Sequence, residues 1–452
     1  MGEVLTVTDL QQLVAAGDID TVIVAFPDMQ GRLTGKRIAA AHFVAEVAAH
    51  GVECCSYLLA VDVEMNTVPG YALSNWDTGY GDMVLIPDFG TLRRTPWLPG
   101  TALVLADLRH HDGGPVAVAP RQILATQIDR LTERGLVPDA ATELEFLVFE
   151  DSYRQAWEHG YRGLTPATDY NADYGLVAGS RLEPLLRDIR VQMAEAGLTW
   201  ESVKGECHPG QQEITFRYAP AMVSCDNHCI YKSGAKEIAD QHGKSLTFMA
   251  KYDEHEGNSC HIHLSLRGED GAAVFADPDA PHGMSSLFAS FVAGQLVTLP
   301  ELTLLYAPTI NSYKRFAAAS FAPTAVGWGL DNRTCALRVV GHGAGLRVEC
   351  RVPGGDVNPY LALAALIAGG LHGVDNDLVL PDPFAGNAYA SDLPRLPATL
   401  DEAAALFEHS AVARKAFGDD VVAHYLNNAR VEVQAFNAAV TDWERVRGFE
   451  RL

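Results

Sequence analysis

ELEFLVFE, residues 143–150, reads as a β-strand whose two faces carry different chemistry. Successive strand side chains point to opposite sides, so Glu143 and Glu145 share one face while Leu144 and Phe146 share the other. Two carboxylates this close repel each other, and shared cations relieve the repulsion. A solvated edge strand could carry the same pair without consequence, so the rest of the chain decides. Working outward, HIHLSL (261–266) sets His261, His263 and Ser265 on one strand face. RVECR (347–351) does the same with Arg347, Glu349 and Arg351, a carboxylate between two guanidiniums that suits an anion held beside a metal. GECHPGQQEITF (205–216) places Glu206 and Glu213 on either side of a Pro-Gly turn that can fold both acids toward a common point.

Helical patterns separate these strands. VAPRQILATQIDRLTERGL (118–136) starts at a proline and stops at Gly135, and LEPLLRDIRVQMAEAGL (182–198) stops at Gly197. CIYKSGAKEIADQHG (229–243) is a third helix, and PYLALAALIAGG (359–370) a fourth, opened by Asn358-Pro359. Thr399 followed by Glu402 predicts a capping box for DEAAALFEHS (401–410). Residues 1–112 read as a smaller unit. A strand over Thr21–Phe26, a turn about Asp28–Gly31 and a return through Ile38 precede a helix over AAAHFVAEVAAHG (39–51), with further strands around Pro96 and Pro99. HHDGGP breaks the pattern near Arg109–Pro120, which sets the expected boundary, leaving residues 113–452 as the large domain.

The chain of 452 residues carries 57 acidic and 34 basic side chains, a net charge of −23. That balance argues against nucleic acid or an anionic membrane as main partner. No charged start precedes an apolar run and no long uninterrupted apolar stretch occurs, so no membrane span is expected. Eight cysteines in no zinc-like pairing read as reduced thiols in the cytoplasm. Against the negative total, Lys314 and Arg315 in NSYKR and Arg333 and Arg338 in NRTCALR are bunched, which suggests a positive pocket for phosphates or carboxylates. Salt bridging to nearby acids is the plainer alternative. Taken together, these acids, histidines and arginines predict a metal-dependent phosphoryl-transfer centre. Its oxygen-rich donors favour Mg²⁺ or Mn²⁺ over zinc. The chain has no GxxxxGK[ST] loop, no GxSxG elbow and no HExxH pair.

In order along the chain, ELEF, GECHPGQQE, GNSCHIHLSL, NSYKR, NRTCALR and RVECRVPGGDVNPYLALAALI resemble the glutamine synthetase family, from about Ile19 to the closing TDWERVRGFE. The resemblance implies an α+β fold: a small N-terminal β-grasp domain and a large α/β catalytic domain with a curved antiparallel sheet. It implies two or more divalent ions, one held by Glu145, Glu206 and Glu213, another by Glu143, His261 and Glu349. ATP would lie against Glu201, Tyr218, His263, Ser265 and Arg347, with Arg338 at the transferred phosphate. Glutamate or its acyl phosphate would meet Gly257, Arg315, Arg333 and Arg351. Sites formed between subunits are implied too, in a homododecamer of two stacked hexameric rings, with Asp28 of one small domain completing a neighbour's site.

Departures from the family pattern point to the acceptor. Where glutamine synthetases carry a loop glutamate that holds ammonium, this chain reads ASFAP, with Phe321 at that position. An apolar ring cannot bind ammonium by charge but can line a channel for a carbon-bearing amine. Asp28 in FPDMQG keeps one anionic anchor, and Glu256 stands where an asparagine normally meets the glutamate substrate. Ser391 in SDLP replaces the tyrosine adenylylated in some members, so that regulation is not expected. The expected activity is therefore ATP-dependent ligation of glutamate to an amine, a polyamine such as putrescine or spermidine first. Ethanolamine or another monoamine, ordinary glutamine synthesis, and a non-enzymatic structural member are the alternatives. Asp169 and Asp173 join Glu256 as candidate partners of a distal ammonium by composition alone.

Overall fold

The turn at Asp28–Gly31 closes a hairpin between β1 (Thr21–Pro27) and β2 (Leu33–Ala39), and a small sheet grows from it. The computed structural model describes residues 4–452. After helix α1 (Val7–Ala16), the small sheet comprises β1, β2, β3 (Val52–Cys55), β4 (Asp82–Arg94) and β5 (Thr101–Arg109) in the order β2-β1-β5-β4-β3. Only the β1–β5 pair is parallel, which makes this the expected β-grasp unit with a mixed sheet. The helix expected over 39–51 forms as α2 (residues 40–50) and closes at Gly51, whose φ of 74° suits glycine. A π-helical turn, Phe43–Val47, interrupts it, with Phe43 and Val47 both buried. Nothing in the residue pattern announced that turn.

In the large unit, β6 (Leu136–Phe149) is the central strand of a nine-stranded sheet. The other strands are β7 (Trp200–Gly205), β8 (Gln211–Phe216), β9 (Ala219–Pro220), β10 (Ser245–Thr247), β11 (Cys260–Gly268), β12 (Trp328–Leu330), β13 (Leu337–Val340) and β14 (Arg347–Cys350). The main path runs β12-β13-β14-β11-β6-β8-β7, with β9 and β10 also pairing to β6. The sheet is antiparallel apart from the β12–β13 pair. Register puts His261 opposite Glu143, Glu145 opposite Glu213, and both His263 and Arg338 opposite Glu349. Cross-strand partners share a face, so register, and not sequence proximity, assembles the polar face.

The opposite face is apolar. Leu144, Phe146, Ile214, Ile262, Leu264 and Val348 are buried, and helices α3 (Pro120–Thr132), α4 (Leu176–Glu195) and α5 (Ala221–Gln241) cover the sheet. Tyr231 of α5 meets Phe146 and Phe216 edge-on or tilted. Arg121 of α3 ties the units together: it binds Asp88 (2.8 Å) and Asp107 (3.0 Å) of the small sheet and the buried Asp226 (3.2 Å) of α5. Helix α6 (Ser286–Tyr306) is long and apolar enough to cross a membrane, yet most of it is buried inside the fold. It packs on α7 (Pro359–Asp375), where Gly294, Gly369 and Gly373 let the backbones touch. Asn358 caps α7 through Tyr360 N–H. At α8 (Leu400–His409) the capping box is half made: Thr399 accepts from Glu402 N–H, while Glu402 reaches Ala398 N–H.

Candidate active site

The two acidic triads expected from the resemblance converge. In Glu143, His261 and Glu349, and again in Glu145, Glu206 and Glu213, one donor atom from each residue lies within 4.8 Å of the others. Glu143 Oε2 is 3.2 Å from His261 Nδ1 and its Oε1 is 2.9 Å from His263 Nε2. Glu349 has no exposed side-chain surface and is clamped by Arg351 (2.6 Å) and Arg338 (2.8 Å). Glu145 accepts from Ser259 N–H (2.7 Å) and from Gln211 Nε2 (3.2 Å). Lys204 sits on Glu206 and 3.8 Å from Glu213.

The charges do not cancel. Five carboxylates of the two triads face three paired cations, Lys204, Arg338 and Arg351. Burial, reinforced by Glu143, Glu145 and Glu349, pushes the Glu213 carboxyl up to about 8 despite Lys204. Burial also raises Glu143 and Glu349. Bonds from His261 and His263 hold Glu143 low nonetheless, and His261 and Arg351 do the same for Glu349. Burial, and then Arg351, lowers His261, leaving a neutral imidazole able to offer a lone pair, and its Nε2 is buried without a partner. A buried excess of carboxylate charge around a neutral imidazole fits bound divalent cations.

A cavity of about 1050 Å³ opens beside the triads. Glu201, Tyr218, His263, Ser265 and Arg347 all line it, with Glu143 and Glu213 on its wall. On the other side, Arg315 is buried, with Nη1 donating to Ser259 Oγ (3.2 Å) and Nη2 to the Val352 carbonyl. Gly257 is required there, since a Cβ would lie 2.9 Å from Arg315 Cγ and 2.2 Å from the Ala250 carbonyl. Arg351 Nη2 reaches the Phe321 carbonyl at 3.4 Å.

The remaining expected residues meet the triads in different ways. Arg333 is exposed beside a surface depression formed with Asp331, Asn332 and Phe384. Arg338 is committed to Asp331 as well as Glu349. Glu256 lies on an exposed loop, and Phe321 is 58% exposed with φ +57°. Asp28 is 1% exposed and satisfied within its own domain by Arg32 Nε (2.7 Å) and by the N–H groups of Gln30 and Arg32. Asp169 is drawn off toward Arg181 (3.7 Å), whereas Asp173 joins Glu206 and Cys207 in one cluster. Sequence reading missed Lys204, Gln211, Ser259 and Asp331. Lys204 shares the polar face through its pairing with Glu213, and Gln211 lies inside the GECHPGQQE run, so both had a local signal.

The model of the glutamine synthetase catalytic domain matches residues 117–447. The chain belongs to the glutamine synthetase family. As a member, it is an enzyme with ATP-dependent glutamate–amine ligase chemistry. The chain is 63% identical to gamma-glutamylethanolamide synthetase GlnA4 of Streptomyces coelicolor, over 99% of this chain and 96% of that protein. It is 38% identical to the glutamate–isopropylamine ligase of a Pseudomonas species, over 95% of each. Among solved structures, a GmaS/ADP complex superposes with a TM-score of 0.86 at 27% identity, covering 98% of this chain and all of that one.

Proposed function

We propose that this glutamine synthetase-family ligase joins the γ-carboxylate of glutamate to a small monoamine, ethanolamine foremost. The observation that carries this reading is Phe321 in the loop held by Arg351, where an ammonium-binding glutamate would stand. Both curated relatives described above are named for monoamines, and the more similar is an ethanolamide synthetase. The expectation of a polyamine acceptor gives way on that ground.

The reaction has two steps. The γ-carboxylate oxygen of glutamate attacks the γ-phosphorus of ATP and ADP leaves; the amine nitrogen then attacks the acyl carbon and phosphate leaves. Glu201, Tyr218, His263, Ser265 and Arg347 hold the nucleotide. Arg315, Arg333, Arg351 and Gly257 form the glutamate side, and Arg338 meets the transferred phosphoryl group. Mg²⁺ or Mn²⁺, held by the two triads, would neutralise charge on that group. Asp28, Phe321 and Glu256 bound the amine, with Asp28 supplied by a neighbouring subunit of a ring assembly once it leaves Arg32, which holds it within its own chain. A fully active monomer by light scattering would exclude that shared site.

The test is an amine panel with glutamate and ATP, reading phosphate release and product mass. Ethanolamine is expected to exceed putrescine, spermidine and ammonium in kcat/KM by at least about tenfold each, or ~1.4 kcal/mol of transition-state binding. A preference for ammonium would return the chain to ordinary glutamine synthesis. A preference for putrescine would restore the polyamine reading.

A pH dependence follows from Glu213. Its folded carboxyl titrates near 8 against the ordinary 4.5, so the metal-free fold binds the proton more tightly than the unfolded chain does. The contribution of Glu213 to the stability of the metal-free protein therefore falls as pH rises from 4.5 through 8. A divalent cation replaces that proton, so the rise in Tm on adding Mn²⁺ is expected to be larger at pH 8.5 than at pH 6. Melts at both pH values, with E213Q as the variant that flattens the difference, check it. Equal shifts at both would contradict it.

A further inference from the structure

Arg347, His263 and Glu143 form a hydrogen-bonded line from the nucleotide cavity into the first triad. Arg347 Nε donates to His263 Nδ1 at 3.1 Å, and His263 Nε2 lies 2.9 Å from Glu143 Oε1. A guanidinium has donors and no lone pair to offer, so His263 Nδ1 must be the acceptor. The ring is then neutral, its hydrogen sits on Nε2, and that hydrogen points at Glu143. The His263 side chain is only 8% exposed, which leaves the ring little room to exchange these partners for water. The other oxygen of Glu143, Oε2, faces His261 Nδ1 at 3.2 Å, and that nitrogen is 3.5 Å from Glu349. One carboxylate is thus held by one oxygen and left with the other turned toward the triad.

We propose that Arg347 and His263 are positioning residues for the metal. Arg347 sets the tautomer of His263, and His263 aims Glu143 so that Oε2 is presented beside His261 and Glu349. This rests on the reading of the triads as divalent-cation sites. The same two residues line the nucleotide cavity, so the line joins the two halves of the site. Outer-shell partners that orient a ligand govern metal affinity to about 10–100-fold, and orientation here makes a prediction opposite in sign to charge. As a bare cation near the site, Arg347 repels a divalent ion, and its removal would tighten binding. As the residue that sets the tautomer of His263, its removal loosens binding.

The measurement is Mn²⁺ binding to the full chain without nucleotide, read from the spin-resonance signal of free Mn²⁺, with melts of the metal-free proteins to check folding. R347M and H263A are expected to weaken one class of Mn²⁺ sites by about 10–100-fold. H263Q, whose amide N–H can take the place of Nε2–H, is expected to recover most of that loss. Binding in R347M equal to or tighter than wild type would overturn the proposal, and so would H263Q as weak as H263A. If wild type binds no Mn²⁺, or E143Q binds as wild type does, the cation reading of the triad has failed instead. Weakened E143Q beside unchanged R347M locates the failure in the proposed line alone.

Discussion

Replacing Glu145 by alanine is expected to lower kcat/KM by about a thousandfold, ~4 kcal/mol of transition-state stabilisation. Glu145 belongs to the second triad, so the change removes one of three donors from the site nearest Arg315. It also costs stability, because Oε2 accepts the buried Ser259 N–H, and an orphaned donor costs about 1–3 kcal/mol. E145Q separates the two effects. The amide oxygen can still accept from Ser259, so E145Q should melt near wild type while losing activity nearly as completely as E145A. Steady-state kinetics with calorimetric melts on both variants decide it. Full activity in either would end the assignment of Glu145 to the metal.

Gly373→Val is expected to destabilise the fold by at least about 3 kcal/mol, enough to leave little soluble protein. A Cβ on Gly373 would sit 1.9 Å from the Ser290 carbonyl and 2.6 Å from Gly294 N, both backbone atoms of α6 that cannot rotate away. Helix propensity alone predicts the reverse, since glycine inside a helix is worse than most residues by up to ~1 kcal/mol. The sign of the change is therefore diagnostic. Gly179, which has nothing within 4 Å of its Cβ position, is the matched control, and G179A should hold or gain stability. Chemical denaturation of the two variants compares them directly. A G373V protein as stable as wild type would mean that α6 and α7 do not touch there.

Much of the site was legible because its signals are local. A two-residue period says which side chains share a strand face, so Glu143 with Glu145, and His261 with His263, were grouped before any partner strand was known. The order of the motifs carried the family. The reading weakened where a side chain's partner is fixed by strand packing or loop conformation. Arg338 and Glu349 are separated by eleven residues, yet their bond and the one from Arg338 to Asp331 depend on how β13 lies against β14. Asp28 was expected beside a neighbour's Arg315, a contact that one chain does not contain; within its own chain its carboxylate is held on Arg32, four residues away.

By itself, then, the sequence determined the loaded strand faces, because alternation needs no third dimension, and through the order of its motifs the family, with the two triads that the resemblance implies. The tertiary structure alone decided which faces meet. Register brought Glu143 to His261 and Glu145 to Glu213 across gaps of more than a hundred and of nearly seventy residues. A strand pattern names a face but not its neighbour, and shifting the register by one residue would turn every donor into the apolar layer. The same holds for Gly294, Gly369 and Gly373: composition presents them as small packing residues, and only the approach of α6 to α7 makes them indispensable. The line from Arg347 through His263 to Glu143 is likewise a product of three strands packed side by side, and no spacing along the chain contains it.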